Sequence, residues 1–332
     1  MSSELLFALQ TRYGLQWDGE PVDLGGSNNL NVHLPSPDGG WVARIYASWT
    51  TEARLRAIQD VRSALVSAGL PFASTVAALD GSLFVSLDDR VVEVERFVPG
   101  ENMDLGERLQ HGMRLLGRIH TVLAGIDPPP AAKVAPFPNH VEARYAPAWT
   151  RGGTAVMRAD HPTTGDLHAA DLADELANAL ANEARLVSDH LPRQLVHGDY
   201  WDNNVLFRGD DIVLVLDLDF MGERPRIDDV ALTLYYTNST LGAGYDDPSR
   251  VAFLANLVDA YDTGLTRRLS ATERAALPGA LARTVLSFVG MLASIDDASA
   301  RQRLVREIAP DLEWSLDLVR DVDRWRAAFM SR

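Results

Sequence analysis

The sequence predicts an α+β fold of two lobes, a small β-rich lobe at residues 1–98 and a larger, mainly helical lobe at residues 99–332. Strand-like runs are concentrated in the first third of the chain, helical periodicity dominates the remainder, and one short β segment interrupts those helices. A length of 332 residues also exceeds what one compact core usually encloses. The boundary is expected at Pro99-Gly100, because this residue pair typically ends regular structure.

Turn residues and apolar periodicity define the individual elements. Between residues 52 and 68, for example, apolar side chains recur at helical spacing, and Gly69 ends that helix. The predicted elements of the small lobe are a helix at 4–13, strands at 30–34 and 41–46, a helix at 52–68, and strands at 83–87 and 91–94. The predicted helices of the large lobe are 105–123, 167–190, 227–237, 248–268, 271–294 and 300–329.

Composition limits the function classes. There are 31 lysine and arginine residues against 46 aspartate and glutamate residues, a formal net charge of −15 that would repel nucleic acid and attract a cationic ligand. The absence of cysteine excludes disulfides, thiolate metal sites and cysteine nucleophiles. The chain start lacks the basic residues of a secretory signal, and the apolar run at 284–295 is expected to be too short for a membrane span. We therefore expect a cytoplasmic monomer or homodimer without a membrane partner.

The β segment within the helical lobe contains the residues that indicate chemistry. Two apolar strands, 205–207 and 212–216, flank a turn and predict a β-hairpin. Asn204 precedes the first strand and Asp217 follows the second, so antiparallel pairing places their backbones roughly 5 Å apart. An amide oxygen and a carboxylate at that separation can share one Mg²⁺. Asp199, five positions before Asn204, would reach the substrate of the same ion.

Phosphoryl transfer requires this combination of groups. One carboxylate orients the attacking hydroxyl and accepts its proton, while an Asn and a second Asp hold the metal on the phosphates. A single Asp or Asn in a loop more often serves a turn or a helix cap. The joint spacing of three such residues around one hairpin favours the functional interpretation.

The segment His197-Gly198-Asp199, followed by Asn204 and Asp217, resembles the signature of aminoglycoside phosphotransferases and their choline-kinase-like relatives. Those enzymes share the protein-kinase-like fold. The resemblance implies that Asp199 is the catalytic base, that Asn204 and Asp217 bind Mg²⁺, and that ATP is the phosphate donor. His197 and Asp229 would be structural, with Asp229 bracing the catalytic loop. Asp219 could contact a second ion or the substrate, or could be exposed to solvent.

The same resemblance indicates a nucleotide site in the small lobe. Ser27 and Asn28, in a glycine-rich segment between two strands, would contact phosphate oxygens. Arg44 stands where the kinase pattern has a lysine for the phosphates, with Glu52 or Asp60 as its acidic partner. The segment from Glu95 through Val98 to residue 100 would be the hinge whose backbone binds the purine.

The acceptor is expected to be a small molecule, and the acidic net charge favours a cationic one. Candidate pocket walls are aromatic, although most of these side chains could equally belong to the core: Tyr145, Trp149, Trp201, Tyr235 and Tyr236. Candidate ligands for an amine are acidic, although most could be ordinary surface charges: Asp202, Glu223, Asp228, Asp246 and Asp247.

Several functions remain open at this point. The first is an antibiotic kinase, and the second is a metabolic kinase of the same fold with a homoserine-, choline- or sugar-type acceptor. A catalytically inactive nucleotide-binding protein is disfavoured because Asp199, Asn204 and Asp217 are all present. A protein kinase is disfavoured because Asp-Phe-Gly and Ala-Pro-Glu segments are missing.

Overall fold

The computed structural model describes residues 3–26, 28–104, 106–135, 139–159, 162–187, 191–242 and 248–330. Buried apolar side chains form a smaller cluster within residues 5–94 and a larger one that extends from residue 57 to residue 329. The architecture is a small antiparallel sheet followed by a mainly helical body, in agreement with the predicted fold class. The expected boundary at residue 98 stays a prediction.

The small sheet has five antiparallel strands in the order β1-β2-β3-β5-β4. They are β1 (Val22–Asp23), β2 (Leu30–Leu34), β3 (Trp41–Ile45), β4 (Val85–Leu87) and β5 (Arg90–Arg96). Helix α1 (Ser3–Tyr13) covers one face, and the hydroxyl of Tyr13 donates to the carbonyl of Val92 at 3.0 Å. Alternating side chains such as Val32, Ala43 and Val94 are buried beneath it. Arg44 and Glu93, which point to the opposite face, are buried as well, so the sheet is covered on both faces.

Helix α2 (Glu52–Ser67) packs against both the helical body and the small sheet, where its Leu55 clusters with Val91 of β5. It begins at Thr51, whose hydroxyl caps the amide of Arg54 at 3.2 Å. Its buried side chains Ile58 and Leu65 join the larger cluster, although α2 precedes residue 98 in the chain. The helix therefore fixes the position of the small sheet on the helical body.

The helical body contains eight α-helices among the described residues. They are α3 (Glu107–Leu123), α4 (Ala146–Met157), α5 (Thr164–Val187), α6 (Ile227–Leu241), α7 (Pro248–Gly264), α8 (Ala271–Met291), α9 (Ala298–Arg320) and α10 (Val322–Met330). The segment predicted as one helix at 300–329 is thus two, because the chain leaves helical geometry at Asp321.

The segment between α5 and α6 contributes four strands to two small sheets. The strands β8 (Val205–Arg208) and β9 (Asp211–Val215) form the predicted hairpin, and β6 (Glu101–Asn102) pairs with β8. The strands β7 (Arg193–Val196) and β10 (Gly222–Pro225) pair antiparallel beside it. Together they hold the segments 197–204 and 216–221 side by side.

Helix α4 was not predicted from the sequence. Its proline and paired glycines resemble a loop, but the small residues allow a close approach to α8. A Cβ atom on Gly153 would lie 1.8 Å from the carbonyl oxygen of Val289, so only glycine fits there.

The expectation that the apolar run near residue 290 is too short for a membrane span is wrong for the complete helix. The helical stretch Ala271–Ser294 is 24 residues long and apolar enough to cross a membrane by length and composition. The core helix of a soluble protein can be equally long and apolar. In this protein, 56% of the most apolar window of the helix is buried within the fold.

Candidate active site

The loop after β7 is held in an unusual backbone conformation. Gly198 has φ +90°, and a Cβ atom there would lie 2.0 Å from the carbonyl oxygen of Phe220. The carboxylate of Asp229 accepts hydrogen bonds from the amides of His197 and Gly198, at 2.7 and 2.9 Å. The side chain at the start of α6 thereby fixes the backbone that leads into Asp199.

His197 and Asp229 are fully buried, and every nitrogen or oxygen atom of their side chains has a hydrogen-bond partner. His197 Nε2 lies 2.9 Å from the carbonyl oxygen of Leu216, and its Nδ1 accepts from the amide of Asp199 at 3.3 Å. His120 Nε2 lies 3.0 Å from Asp229 Oδ2, and His120 Nδ1 lies 2.8 Å from the hydroxyl of Tyr261. Burial lowers the pKa of His197 despite the nearby carboxylates of Asp229 and Asp217, so this ring is neutral.

Asp199 faces the cleft beside Asn204. The amide nitrogen Nδ2 of Asn204 donates to the carbonyl oxygen of Asp199 at 2.7 Å and to its carboxylate at 3.0 Å. Burial, together with the negative charge of Asp217, raises the pKa of Asp199 to about 7, although the hydrogen bond from Asn204 opposes the shift. A carboxylate in this condition is poorly solvated and has few partners for its charge.

Asp217 and Asp219 follow β9 and lie opposite the small sheet. Asp217 has a left-handed backbone with φ 65°, and its Oδ1 accepts from the amide of Asp219 at 3.2 Å. Asn204 lies alongside, because its carbonyl accepts from the amide of Leu216 at 2.9 Å. The structure therefore brings Asp199, Asn204 and Asp217 into one group, as their spacing in the sequence predicted.

Asp219 is only 2% exposed, so the alternative of a solvent-exposed side chain is wrong. Asn29 donates to its Oδ2 and also accepts from the amide of Ala47, which connects the glycine-rich segment to the acidic loop. Burial and the charge of Asp217 raise the pKa of Asp219 to about 8, against the opposing effects of Arg44 and Asn29. Its Oδ1 is buried without a hydrogen-bond partner among the described residues.

Arg44 is buried, and its acidic neighbours are not the predicted ones. Its Nη1 lies 3.8 Å from Asp217 Oδ1 and 3.9 Å from Asp219 Oδ1. Glu52 instead accepts from the hydroxyl of Ser86 at 2.8 Å, and Asp60 is exposed. Both expected partners are therefore wrong, since α2 directs a different charged residue at the sheet.

That residue is Arg62, which the sequence analysis missed. Its guanidinium contacts Glu93 at 2.6 Å and also pairs with Glu95, both on β5. Arg62 lies on the same helical face as Ile58 and Leu65, so a charge within an apolar stripe was the available signal. Glu93 and Glu95, two positions apart on a strand, point to the same face.

The residues predicted to bind the nucleotide lie in different environments. The Glu95 side chain is directed to Arg62, while Val98 is half-buried in the linker between β5 and β6. Asn28 is exposed in the segment between β1 and β2, and Ser27 lies outside the described residues. A small cavity between the lobes is lined by Arg44, Tyr46, Phe72, Glu95, Leu216 and Asp217, among others.

Aromatic rings lie on the other side of Asp199. Trp201 stacks on Tyr236 of α6 with ring centroids 4.5 Å apart. Burial, together with the charges of Asp199 and Asp202, raises the pKa of Tyr236. By contrast, Asp228 is buried away from this wall against Arg283 and against His140 at 3.2 Å. Asp246 and Asp247 lie outside the described residues.

The described residues contain no group of three or more His, Asp or Glu side chains able to enclose a metal by themselves. Mg²⁺ on a nucleotide does not need one, because it takes one or two carboxylates and completes its shell with phosphate and water. The oxygen donors of Asn204 and Asp217, together with the unpartnered oxygen of Asp219, fit such an ion. Arg44, near both carboxylates, partly neutralises them in this structure.

Residues 19–277 match the family described as the phosphotransferase enzyme family, APH. The chain belongs to the phosphotransferase enzyme family. A homoserine kinase of Hyphomonas neptunium is 26% identical over 278 residues, which cover 79% of this chain and 77% of that protein. These matches confirm the predicted resemblance and establish a phosphotransferase that acts on small molecules.

Solved structures show the same fold at low sequence identity. A microcompartment-associated aminopropanol kinase superposes with a TM-score of 0.73 at 17% identity, covering 98% of both chains. An amicoumacin kinase in complex with AMP-PNP and Ca²⁺ gives 0.68 at 17% identity, covering 92% of both chains. A spectinomycin phosphotransferase in complex with ADP gives 0.62 at 14% identity, covering 98% of this chain and 99% of that one.

Proposed function

We propose that this phosphotransferase transfers the γ-phosphoryl group of ATP to a hydroxyl of a small amino alcohol. The observation that carries the proposal is the group formed by Asp199, Asn204 and Asp217, which combines a poorly solvated carboxylate with oxygen donors for a metal. The roles of these three residues are part of the proposal. Family membership supports the reaction class, while the acceptor is inferred from charge and likeness.

The chemistry follows from where the carboxylate lies. The acceptor hydroxyl donates a hydrogen bond to Asp199, and its proton moves to that carboxylate as its oxygen bonds to the γ-phosphorus. The bond between that phosphorus and the bridging oxygen breaks, which leaves ADP and a phosphate ester. The Asn204 amide orients Asp199, and the fixed backbone at Gly198 holds it within reach.

Mg²⁺ bound to the nucleotide would supply positive charge to the phosphates. Asn204 and Asp217 would bind it, with Asp219 as a further carboxylate on the same side. Arg44 is buried beside these acids and, as a cation, is suited to contact phosphate oxygens. The nucleotide base would lie in the cleft against the linker that contains Val98.

The acceptor class rests on three facts. The net charge of −15 favours cations over neutral or anionic molecules. Homoserine and aminopropanol, the substrates named for two similar kinases, are both small molecules with an amine and a hydroxyl. Asp202, which follows Trp201 in the chain, also has a side-chain oxygen without a hydrogen-bond partner among the described residues. An antibiotic acceptor is the second candidate, favoured by the likeness to the amicoumacin and spectinomycin enzymes.

A screen of ATP consumption with Mg²⁺ tests the proposal. Homoserine, aminopropanol, choline, neutral sugars and aminoglycosides would be supplied separately, with Asp199→Asn as the inactive control. We expect turnover with a small amino alcohol, and a KM that rises with salt because screening weakens charge attraction over a Debye length of about 8 Å. Turnover of a neutral sugar with a flat salt profile would contradict the acceptor class, while no turnover of any alcohol would contradict the kinase assignment.

A further inference from the structure

Asp202 lies at the end of the loop that presents Asp199, in a 3₁₀ turn that leads into β8. Its backbone carbonyl accepts from the amide of Met103 at 3.2 Å, so the position of the residue is fixed. Its side-chain oxygen Oδ1 is buried and has no hydrogen-bond partner among the residues that the structure describes. No Arg, Lys or His within that part of the chain lies within 4.0 Å of this carboxylate.

An unsatisfied carboxylate oxygen is costly. Leaving a buried acceptor without a partner costs about 1–3 kcal/mol, and more when the group is charged. Asp202 is half-buried, so part of the residue remains accessible to a ligand. A cationic ligand would relieve this penalty on binding.

The rings beside Asp202 form a surface that suits the same ligand. Trp201 and Tyr236 are nearly parallel, at an interplanar angle of 28°. Phe288 packs edge-to-face against Tyr236. The face of Trp201 that is turned away from Tyr236 contacts no other aromatic ring within the described residues. Tryptophan faces attract ammonium groups by about 0.5–2 kcal/mol.

We propose that the carboxylate of Asp202 and the ring of Trp201 bind the ammonium group of the acceptor while Asp199 faces its hydroxyl. The proposal rests on the proposed kinase function and adds the part of the site that selects the amine. Asp199 and Asp202 are three residues apart on one loop, and Trp201 lies between them in the chain. An acceptor with its amine and hydroxyl on a short carbon chain would reach both carboxylates.

Asp202→Asn tests this assignment, with Asp210→Asn as a matched control. Asp210 is exposed at the far end of the same hairpin, so the control removes the same charge without touching the cleft. With aminopropanol or homoserine as the probe, we expect Asp202→Asn to raise the acceptor KM about 10- to 100-fold, the equivalent of one lost charged hydrogen bond. The KM for ATP and the thermal midpoint should match those of the control.

A comparison of acceptors separates recognition of the amine from general damage. Asp202→Asn should not change the weak turnover of propanol or 4-hydroxybutanoate, which lack the amine, and Asp202→Glu should restore part of the affinity for the amine-bearing probe. Trp201→Leu should raise the same KM about threefold to tenfold. Equal acceptor KM values for Asp202→Asn and Asp210→Asn would overturn the site while leaving the kinase function intact. A wild-type enzyme that phosphorylates only neutral alcohols would overturn both this site and the amine-bearing acceptor.

Discussion

Asp199 and Asp229 are two carboxylates on opposite sides of one loop, and their surroundings differ in almost every respect. Asp229 accepts from two backbone amides and contacts His120 at 3.0 Å. Although burial alone would raise its pKa, the hydrogen bond with His120 and the neighbouring Arg224 hold the pKa of Asp229 below its usual range. Within the described part of the chain, Asp199 has only Asn204 as a side-chain donor, and its pKa is raised to about 7.

The comparison indicates that Asp229 stabilises the native protein, whereas Asp199 is available to bind a ligand. Every partner that Asp229 needs is supplied by the fold, so its charge contributes to stability. Asp199 is less completely satisfied, with Asn204 as its side-chain donor among the described residues, and Asp202 and Asp219 each have one buried oxygen without a hydrogen-bond partner there. A metal, a nucleotide or an amine would provide the missing partners. Removing the first kind of carboxylate should damage the fold, and removing the second kind should damage function alone.

The largest effect is expected for Asp199→Asn. Loss of the base should lower kcat about 10²- to 10⁴-fold, because a positioned general base contributes that much to the transition state. Nucleotide affinity, measured by calorimetry with ATP and Mg²⁺, should remain within about threefold of the wild type. Retained wild-type turnover would show that another group accepts the proton.

Asp229→Ala should act on stability instead. Two buried amides and His120 would lose their acceptor, so the free energy of unfolding should fall by about 3–5 kcal/mol. For a chain of this size, that corresponds to a decrease of roughly 10 °C in Tm by calorimetry. Asp199→Ala provides the comparison, and a decrease of the same size in both variants would remove the distinction between the two carboxylates.

The raised pKa values predict how stability depends on pH in the ligand-free protein. Asp219 has a pKa of about 8 in the native state, against about 3.9 in the unfolded chain. Its stabilising contribution is therefore complete below pH 4 and is lost as the pH rises through about 8. With EDTA present, Asp219→Asn should flatten the decrease in Tm between pH 5 and pH 9 by a few degrees. Asp210→Asn should keep the wild-type slope, and an equally steep slope in Asp219→Asn would contradict the prediction.

Local patterns predicted the elements that depend on neighbours in sequence. Strand β2 begins and ends where alternation placed it, and the hairpin of β8 and β9 brought Asn204 beside Asp217 as expected. Local patterns do not predict contacts between segments that are distant in the sequence. Arg44 meets Asp217 and Asp219 across more than 170 residues, and nothing near it in sequence identifies them. Helix α4 likewise depends on packing against α8 rather than on its own composition.

The smallest effect is expected at Arg44, and Arg62 provides its contrast. Arg44 has two acidic neighbours at 3.8 and 3.9 Å, whereas Arg62 contacts Glu93 at 2.6 Å and is paired with Glu95 as well. Arg44→Lys keeps a positive charge near the phosphates but loses the planar fork, so the KM for ATP should rise less than about tenfold and Tm should change little. Arg62→Lys cannot satisfy both glutamates, and its Tm should fall while the KM for ATP stays within about threefold. If the two substitutions exchanged these effects, Arg62 would be the phosphate-binding cation, and the ligand-facing surface of the small lobe would have to be reassigned to β5.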